Sequence, residues 1–563
     1  MTEFAASQDG PRNPLVNPLL TDFYQLSMAY AYWRQNRHEE RACFEVFFRS
    51  NPFGGEFTVF AGLEEVLRFI DSFEFKEDEI DFVRSILPNA EDAFFAWLER
   101  LNCKKIKMFA IKEGTVVFPY EPLLRIEGPL AIAQMIETTV LNLINYPSLV
   151  CTNAARYRLA VGSEKKLFEF GARRAQGPDG ALSASRYAYM GGFDGTSHVL
   201  AAKLFSIPVS GTQAHAFVQS FTSLDDLPND SLCVGHVDSL KLTALQWRKE
   251  LGYNENDPKF YHIHDGEFAA FIAYAYAFPT KFIALVDTYS TLDSGLKNFV
   301  CVLLALAQAG FIAVGCRIDS GDLAYLSLCA QDLFQQLANR IESKQIQASW
   351  LTNTQRSDAI HALRTQKIIA SNDINESVLL SLRDQNHAID AFGVGTHLVT
   401  CHNQPALGCV YKLVEINNKP TIKVSNDLSK TTIPCAKQPY RLISAHGLML
   451  LDLLVPTNHA APEIGERILC RHPFDHQKKA YVTPAKVIPL HKLVYDGGAT
   501  EAVQSRPSLD DIKNYVEKQL RLVRYDILRS LNPTPYKVSV SPQLFSFFVG
   551  LLESNEPIRE LVA

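Results

Sequence analysis

One device recurs through the middle of this 563-residue chain and constrains its fold more than any other feature: a short apolar run ends in a polar or glycine-bearing loop, and a helical pattern follows. Residues 166–171, 281–287, 311–317, 367–373 and 388–396 all follow it. Runs that are apolar without alternation are buried on both faces, and their alternation with helices predicts a parallel sheet. Polar residues collect where each run hands over to its loop, as at Asp287, Arg317, Asp373 and Thr396. Such strand ends gather on one side, where ligands bind in a β/α barrel and in an open doubly wound sheet alike. Successive units without a Gly-x-Gly-x-x-Gly turn favour the barrel.

The flanks read differently. Residues 1–17 read as a flexible tail, 18–150 as an N-terminal α+β domain, 151–400 as the barrel and 401–563 as additional C-terminal segments. Within the first domain, 21–33 reads as a helix capped by Thr21 or Asp22, and 42–49 as a strand. A long helical stretch over 131–160 is expected to break near Tyr146-Pro147. After 401 the alternation stops. A hairpin is expected around Asn417-Asn418, and an amphipathic helix over 512–528.

Composition excludes several classes. A formal net charge of −6 argues against a nucleic-acid binder, which would carry a basic stripe. The 11 cysteines are scattered, with no Cys-x-x-Cys pair, as expected of reduced thiols. Residues 1–4 lack a basic region followed by an apolar one, so no secretory signal is expected. The apolar stretches 268–278 and 299–314 are too short to span a bilayer or carry Gln308 and Gly310. The expectation is a cytosolic protein with no membrane contact.

His215, in Ile207-Pro208-Val209-Ser210-Gly211-Thr212-Gln213-Ala214-His215, is expected at the end of a short strand, where an imidazole can act as base, ligand or nucleophile. Asp287, at another strand end, suits it as a partner, because a carboxylate on one ring nitrogen fixes the tautomer and makes the other nitrogen more basic. Arg317 suits bidentate recognition of a carboxylate or phosphate. Asp319 and Asp322 share its loop, and Asp319 suits sugar hydroxyls or hydrated Mg²⁺. Gly393-Val394-Gly395-Thr396 is a candidate anion turn, with two glycines for close backbone approach and a hydroxyl donor. Arg173 and Arg174, near Phe170, form a second cationic and aromatic locus. Each has a structural alternative: a core aromatic, a capping aspartate, a solvated charged turn. No His-Glu-x-x-His, Walker loop or Gly-x-Ser-x-Gly elbow is present. His262-Ile263-His264-Asp265 is a weak metal pair without further ligands nearby.

Several ordered motifs together resemble the nicotinate phosphoribosyltransferase family. They are Thr21-Asp22-Phe23-Tyr24-Gln25, Phe44-Glu45-Val46-Phe47-Phe48-Arg49, Phe168-Glu169-Phe170-Gly171-Ala172-Arg173-Arg174, Gly211-Thr212-Gln213-Ala214-His215, Arg317-Ile318-Asp319-Ser320-Gly321-Asp322 and Phe392-Gly393-Val394-Gly395-Thr396. The resemblance runs from about Pro18 to Asn532-Pro533-Thr534-Pro535-Tyr536-Lys537-Val538, and its length and tail are similar to the longer, animal-type members. It implies a type II phosphoribosyltransferase fold, an incomplete β/α barrel whose C-terminal segments pack back on the N-terminal domain and barrel. The implied reaction joins nicotinate to phosphoribosyl pyrophosphate, the first step of NAD synthesis from nicotinic acid. ATP would be coupled as co-substrate through phosphorylation of His215, with Asp287 orienting that ring. Mg²⁺, or Mn²⁺ in its place, is the implied metal, with no ligand set assigned. The resemblance also implies a homodimer in which Tyr24 and Arg49 reach the partner's barrel. Tyr24 and Phe170 would sandwich the pyridine. Arg173 and Arg317 would fix substrate anions, Thr212 would bind nicotinate, and Gly393, Gly395 and Thr396 the phosphoribosyl group.

Ser197 bears on the substrate. The nicotinamide-using relative resembles this segment but carries an aspartate there, which would repel a pyridine carboxylate; serine can donate to it. Nicotinamide- and quinolinate-using enzymes remain the rival activities, and a catalytically silent scaffold the rival class. Retention of His215, Asp287, Arg317 and the glycine turn weighs against the scaffold.

Overall fold

Six parallel strands form the central sheet of the computed structural model, which describes residues 13–227, 234–253, 263–425, 427, 430–498 and 507–555. In spatial order they are Gly195–Thr196, Lys166–Glu169, Ala391–Val394, Lys367–Ser371, Gly315–Ile318 and Ile283–Leu285. Every pairing is parallel, and Val209 extends the first edge by a parallel bridge to Thr196. The sheet is a half-barrel with helices outside it.

Register decides which side chains meet. Phe168, Gly393 and Ser371 are paired across neighbouring strands, and Arg317 pairs with Ile369, two residues before Ser371. Because alternate residues share a face, Phe168, Gly393, Ser371 and Arg317 lie on one side of the sheet. The other side carries Leu167, Phe392, Ala370 and Ile318, all buried in the main core. The apolar runs are thus double-faced, with one face kept for polar work at its end.

A second, antiparallel sheet lies at the N-terminal end: Arg41–Phe47, Leu124–Pro129 and Lys107–Ile111, flanked by Val410–Ile416 with Lys419–Pro420 on one side and His491–Asp496 on the other. Strands from beyond residue 401 therefore complete a sheet begun before residue 50. A third sheet is C-terminal, running Lys479–Val482, Ile468–Arg471, Val538–Val540, Met449–Pro456, Lys437–Ile443 and Lys486–Pro489. Buried Arg441 ties it to the rest, meeting Asp452 at 2.6 Å and the Val116 carbonyl at 2.8 Å.

Two local expectations are corrected. The helical stretch does not break at Pro147; it divides at Ile136 into Leu130–Met135 and Glu137–Val161, and Pro147 lies inside the second helix. Its neighbours explain how. Pro147 removes the intrahelical donor to the Leu143 carbonyl, and Gly62 packs so closely there that a Cβ would lie 1.9 Å from that oxygen. Ser148 and Thr152 then bond the backbone of Ala61 and Val59 at 2.9 Å each, stitching the helix to the segment beside it. The second correction concerns His215, which does not end a strand. Only Val209 of its segment pairs with the sheet, and His215 opens the short helix His215–Gln219.

The hairpin at Asn417-Asn418 forms, with both residues at positive φ. The amphipathic helix is Leu509–Leu522. The ten described cysteines are all free thiols. Among the described residues no helix is long and apolar enough to cross a membrane.

Candidate active site

Arg317 is the hub of the site. Its guanidinium donates from Nε to Ser371 Oγ at 2.7 Å, from Nη1 to Thr212 Oγ1 at 3.0 Å and from Nη2 to Asp319 Oδ1 at 2.8 Å. Ser371 in turn donates to the same Asp319 oxygen. The guanidinium carbon lies 5.6 Å from the centroid of the Phe170 ring, within cation–π range. Burial pushes the Asp319 carboxyl up, but the Arg317 charge, the bonds from Ser371 and Arg317, and nearby His215 outweigh it and hold it below the ordinary range.

His215 faces this hub. Its Nδ1 lies 3.1 Å from Thr288 Oγ1. Its Nε2 faces Asp319 Oδ2 at 3.6 Å and Asp287 Oδ1 at 3.9 Å, both longer than a hydrogen bond. The Asp287 carboxylate is engaged elsewhere: Oδ2 accepts from the Asp319 amide at 3.0 Å and the Ser320 hydroxyl at 2.5 Å. Its Oδ1 is buried with no hydrogen-bond partner.

The aromatic wall is held from below. Glu169 is buried and accepts from the Gly171 amide, from Ser185 Oγ at 2.8 Å and from Thr196 Oγ1 at 2.5 Å. These bonds fix the turn that carries Phe170, whose amide also donates to the Val394 carbonyl at 2.7 Å. Gly393 is glycine for a steric reason, since a Cβ there would sit 2.4 Å from the Phe170 ring. Gly395 has no such constraint, its nearest neighbour to a Cβ being the Phe170 carbonyl at 3.6 Å.

The sheet thus gathers Phe170, Thr212, His215, Asp287, Arg317, Asp319 and Gly393. Thr396 opens the short helix Thr396–Val399 immediately after Gly395. Ser197 is half-buried beside Gly211 and donates its amide to the Glu169 carbonyl at 3.0 Å. Asp322 caps the helix Leu323–Glu342 through the Tyr325 amide, so its carboxylate serves the fold. Arg173 and Arg174 are exposed.

Tyr24 and Arg49 lie elsewhere. Among the described residues, no hydrogen bond, ion pair or ring contact joins either to the His215 cluster. Tyr24 is 47% exposed on the helix Phe23–Arg34, where burial first and the Glu137 charge second raise its phenol pKa. Arg49 has a buried, unpaired Nε and lies 5.7 Å from the Phe47 ring. Burial pulls the nearby Lys412 ammonium below its ordinary value; the Glu137 carboxylate opposes this, and the charges of Arg49 and Lys423 add to the lowering. Arg49 and Lys423 thus lie close enough to Lys412, on the strand Val410–Ile416 of the N-terminal sheet, for their charges to act on it, with Glu137 also nearby.

Two residues of the site were missed in the sequence. Ser371 follows an apolar run and Thr288 follows Asp287, so both carried the strand-end signal, but a hydroxyl in a turn is too common to single out. Of the weak metal pair, His262 lies outside the described residues, and His264 stacks on Tyr289 at 3.8 Å. Among the described residues there is no group of three or more side chains suited to hold a metal alone.

The same architecture occurs in known proteins. The chain matches the nicotinate phosphoribosyltransferase N-terminal domain over residues 19–145, the nicotinate phosphoribosyltransferase family over 165–446 and its C-terminal domain over 436–548. Nicotinate phosphoribosyltransferase 1 of Arabidopsis thaliana is 49% identical over 98% of this chain and 97% of its own length. The Caenorhabditis elegans nicotinate phosphoribosyltransferase is also 49% identical, over 98% of this chain and 96% of its own. The crystal structure of human nicotinic acid phosphoribosyltransferase superposes with a TM-score of 0.80 at 37% identity, covering 94% of this chain and 99% of that one. This chain is an enzyme of the nicotinate phosphoribosyltransferase family.

Proposed function

We propose that the protein joins nicotinate to phosphoribosyl pyrophosphate, giving nicotinate mononucleotide and pyrophosphate, and couples this to ATP through His215. The observation that carries the substrate reading is the Arg317 hub. A guanidinium fixed by three acceptors beside an aromatic face is built for a planar ring with a carboxylate. Phe170 supplies one face of the ring site, and Thr212 and Ser197 flank the carboxylate end.

In the transfer step the pyridine nitrogen attacks C1′ of the phosphoribosyl group. The bond from C1′ to the pyrophosphate oxygen breaks, and pyrophosphate leaves with the electron pair. The Gly393–Thr396 turn sits at a strand end suited to the 5′-phosphate. In the coupling step a donated Nδ1–H on Thr288 would leave the lone pair of His215 on Nε2. That nitrogen attacks the γ-phosphorus of ATP, ADP leaves with the bonding electrons, and water later takes the phosphoryl group as phosphate.

Mg²⁺ or Mn²⁺ fits the donors present. The unpartnered buried oxygen of Asp287 and the free oxygen of Asp319 are hard ligands on one side of His215. Two carboxylates completed by substrate phosphates are how Mg²⁺ is commonly held. Bound there, the ion would neutralise developing phosphate charge.

Tyr24 and the basic residues Arg49, Lys412 and Lys423 lie outside the chain's own His215 site. This supports a homodimer in which one subunit's N-terminal sheet completes its partner's barrel. The negative net charge supports small phosphorylated substrates over nucleic acid, and the free thiols support a cytosolic setting. The test is a product assay with nicotinate, nicotinamide and quinolinate, each with and without ATP. Only nicotinate should give mononucleotide efficiently, with ATP raising the yield; equal turnover of nicotinamide would overturn the substrate assignment.

A further inference from the structure

Ser371 stands between the two charged groups of the hub. We infer that it is a positioning residue that keeps Asp319 from closing bidentately onto Arg317, and so holds both residues ready for substrate. This inference rests on the nicotinate reading for its kinetic consequences, but its geometry stands without it.

An arginine side chain has five N–H donors. Ser371, Thr212 and Asp319 take one each, from Nε, Nη1 and Nη2. Two donors remain, one on Nη1 and one on Nη2, open to an incoming carboxylate. The alternative arrangement has Asp319 swing onto the Nε–Nη2 edge, as an unhindered Arg–Asp pair favours. Ser371 blocks that swing in two ways. Its oxygen occupies Nε, and its hydroxyl hydrogen bonds Asp319 Oδ1, leaving Oδ2 directed at His215 at 3.6 Å.

Its own position is constrained. Ser371 is buried at the end of its strand and paired with Gly393. The next two residues, Asn372 and Asp373, have φ of 126° and 43°, a region that L-residues rarely adopt. The chain accepts that strain immediately after the strand end where a hydroxyl bridges Arg317 and Asp319. Ser371 thus links the open donors of Arg317 to the carboxylate facing His215, and one substitution should disturb both.

The experiment compares Ser371→Ala with Ser371→Thr in the full-length enzyme. The alanine variant should raise KM for nicotinate about tenfold while kcat changes less, and should raise the ATP consumed per mononucleotide formed. The threonine variant, which keeps the hydroxyl on a residue suited to strands, should restore both. A crystal structure of Ser371→Ala should show Asp319 turned onto Nε of Arg317. Unmoved Arg317 and Asp319 in that structure would overturn the inference, as would equal defects in the alanine and threonine variants. Failure of the wild type to use nicotinate would instead count against the substrate reading, since the crystallographic comparison does not depend on it.

Discussion

The imidazole of His215 meets the Thr288 hydroxyl at Nδ1, 3.1 Å away, while its Nε2 looks toward two carboxylates that are too distant to bond it. The hydroxyl, not Asp287, therefore sets the ring's orientation, and Asp287 is left to brace the loop of Asp319 and Ser320.

Removing that hydroxyl should uncouple the ring. Thr288→Ala is expected to lower ATP-stimulated synthesis about tenfold, the cost of roughly one hydrogen bond in the transition state, and Thr288→Ser should retain most of it. His215→Ala should abolish ATP stimulation while leaving slow ATP-independent synthesis. Full stimulation in His215→Ala would refute the phosphohistidine role. Initial rates with and without ATP give the answer.

On the proposed reading, Arg317 holds the carboxylate of nicotinate and Ser197 admits it. Arg317→Lys replaces a fixed planar fork with a single mobile charge, so KM for nicotinate should rise about 10- to 100-fold. Ser197→Asp should penalise nicotinate by at least ~10-fold relative to nicotinamide, because like charges placed together cost several kcal/mol. Competition between the two pyridines in one reaction measures this, and unchanged discrimination would remove Ser197 from the argument.

Gly393 leaves room for an aromatic ring. In Gly393→Ala the added methyl overlaps Phe170, and because the Glu169 network holds that turn rigidly, the ring must tilt. The expected result is a higher KM for nicotinate with about 1–3 kcal/mol of lost stability from overpacking. Gly395→Ala should be milder in stability, as a methyl there meets only ordinary contact distances. Thermal melts of the two variants distinguish them.

His491 links folding to pH. It is buried on the strand that closes the N-terminal sheet, with Nε2 donating to the Pro122 carbonyl at 2.6 Å and Nδ1 unpartnered. Burial first, and then the charges of Arg125 and Lys437, pull its pKa down to about 3. The unfolded chain takes up the proton near pH 6.5 and the folded one does not. Stability contributed by the neutral ring is therefore full above pH 6.5 and is lost as pH falls toward 3, by about 1.4 kcal/mol per pH unit within that window. His491→Gln should flatten this part of the profile in urea titrations at pH 7 and pH 5. A parallel slope in both proteins would exclude His491 as the cause.

The sequence by itself determined a parallel sheet flanked by helices, because apolar runs buried on both faces leave few other arrangements, while the choice of a half-barrel over an open sheet was settled by the tertiary structure. It also pointed to Arg317, Asp319 and Asp287 near strand ends, where parallel sheets gather ligand-binding residues, but it expected His215 at a strand end when that residue opens a short helix. It could not place Pro147 inside a helix, because the compensating contacts come from Gly62, Ala61 and Val59, more than eighty residues away. Nor could it rank Ser371 and Thr288 above other turn hydroxyls. Their importance comes from register: pairing Gly393 with Ser371 and Ile369 with Arg317 brings that hydroxyl to the guanidinium. Local chemistry chose the residue types, and the tertiary structure decided which of them share a proton, because hydrogen bonds form only over the last few tenths of an ångström that packing sets.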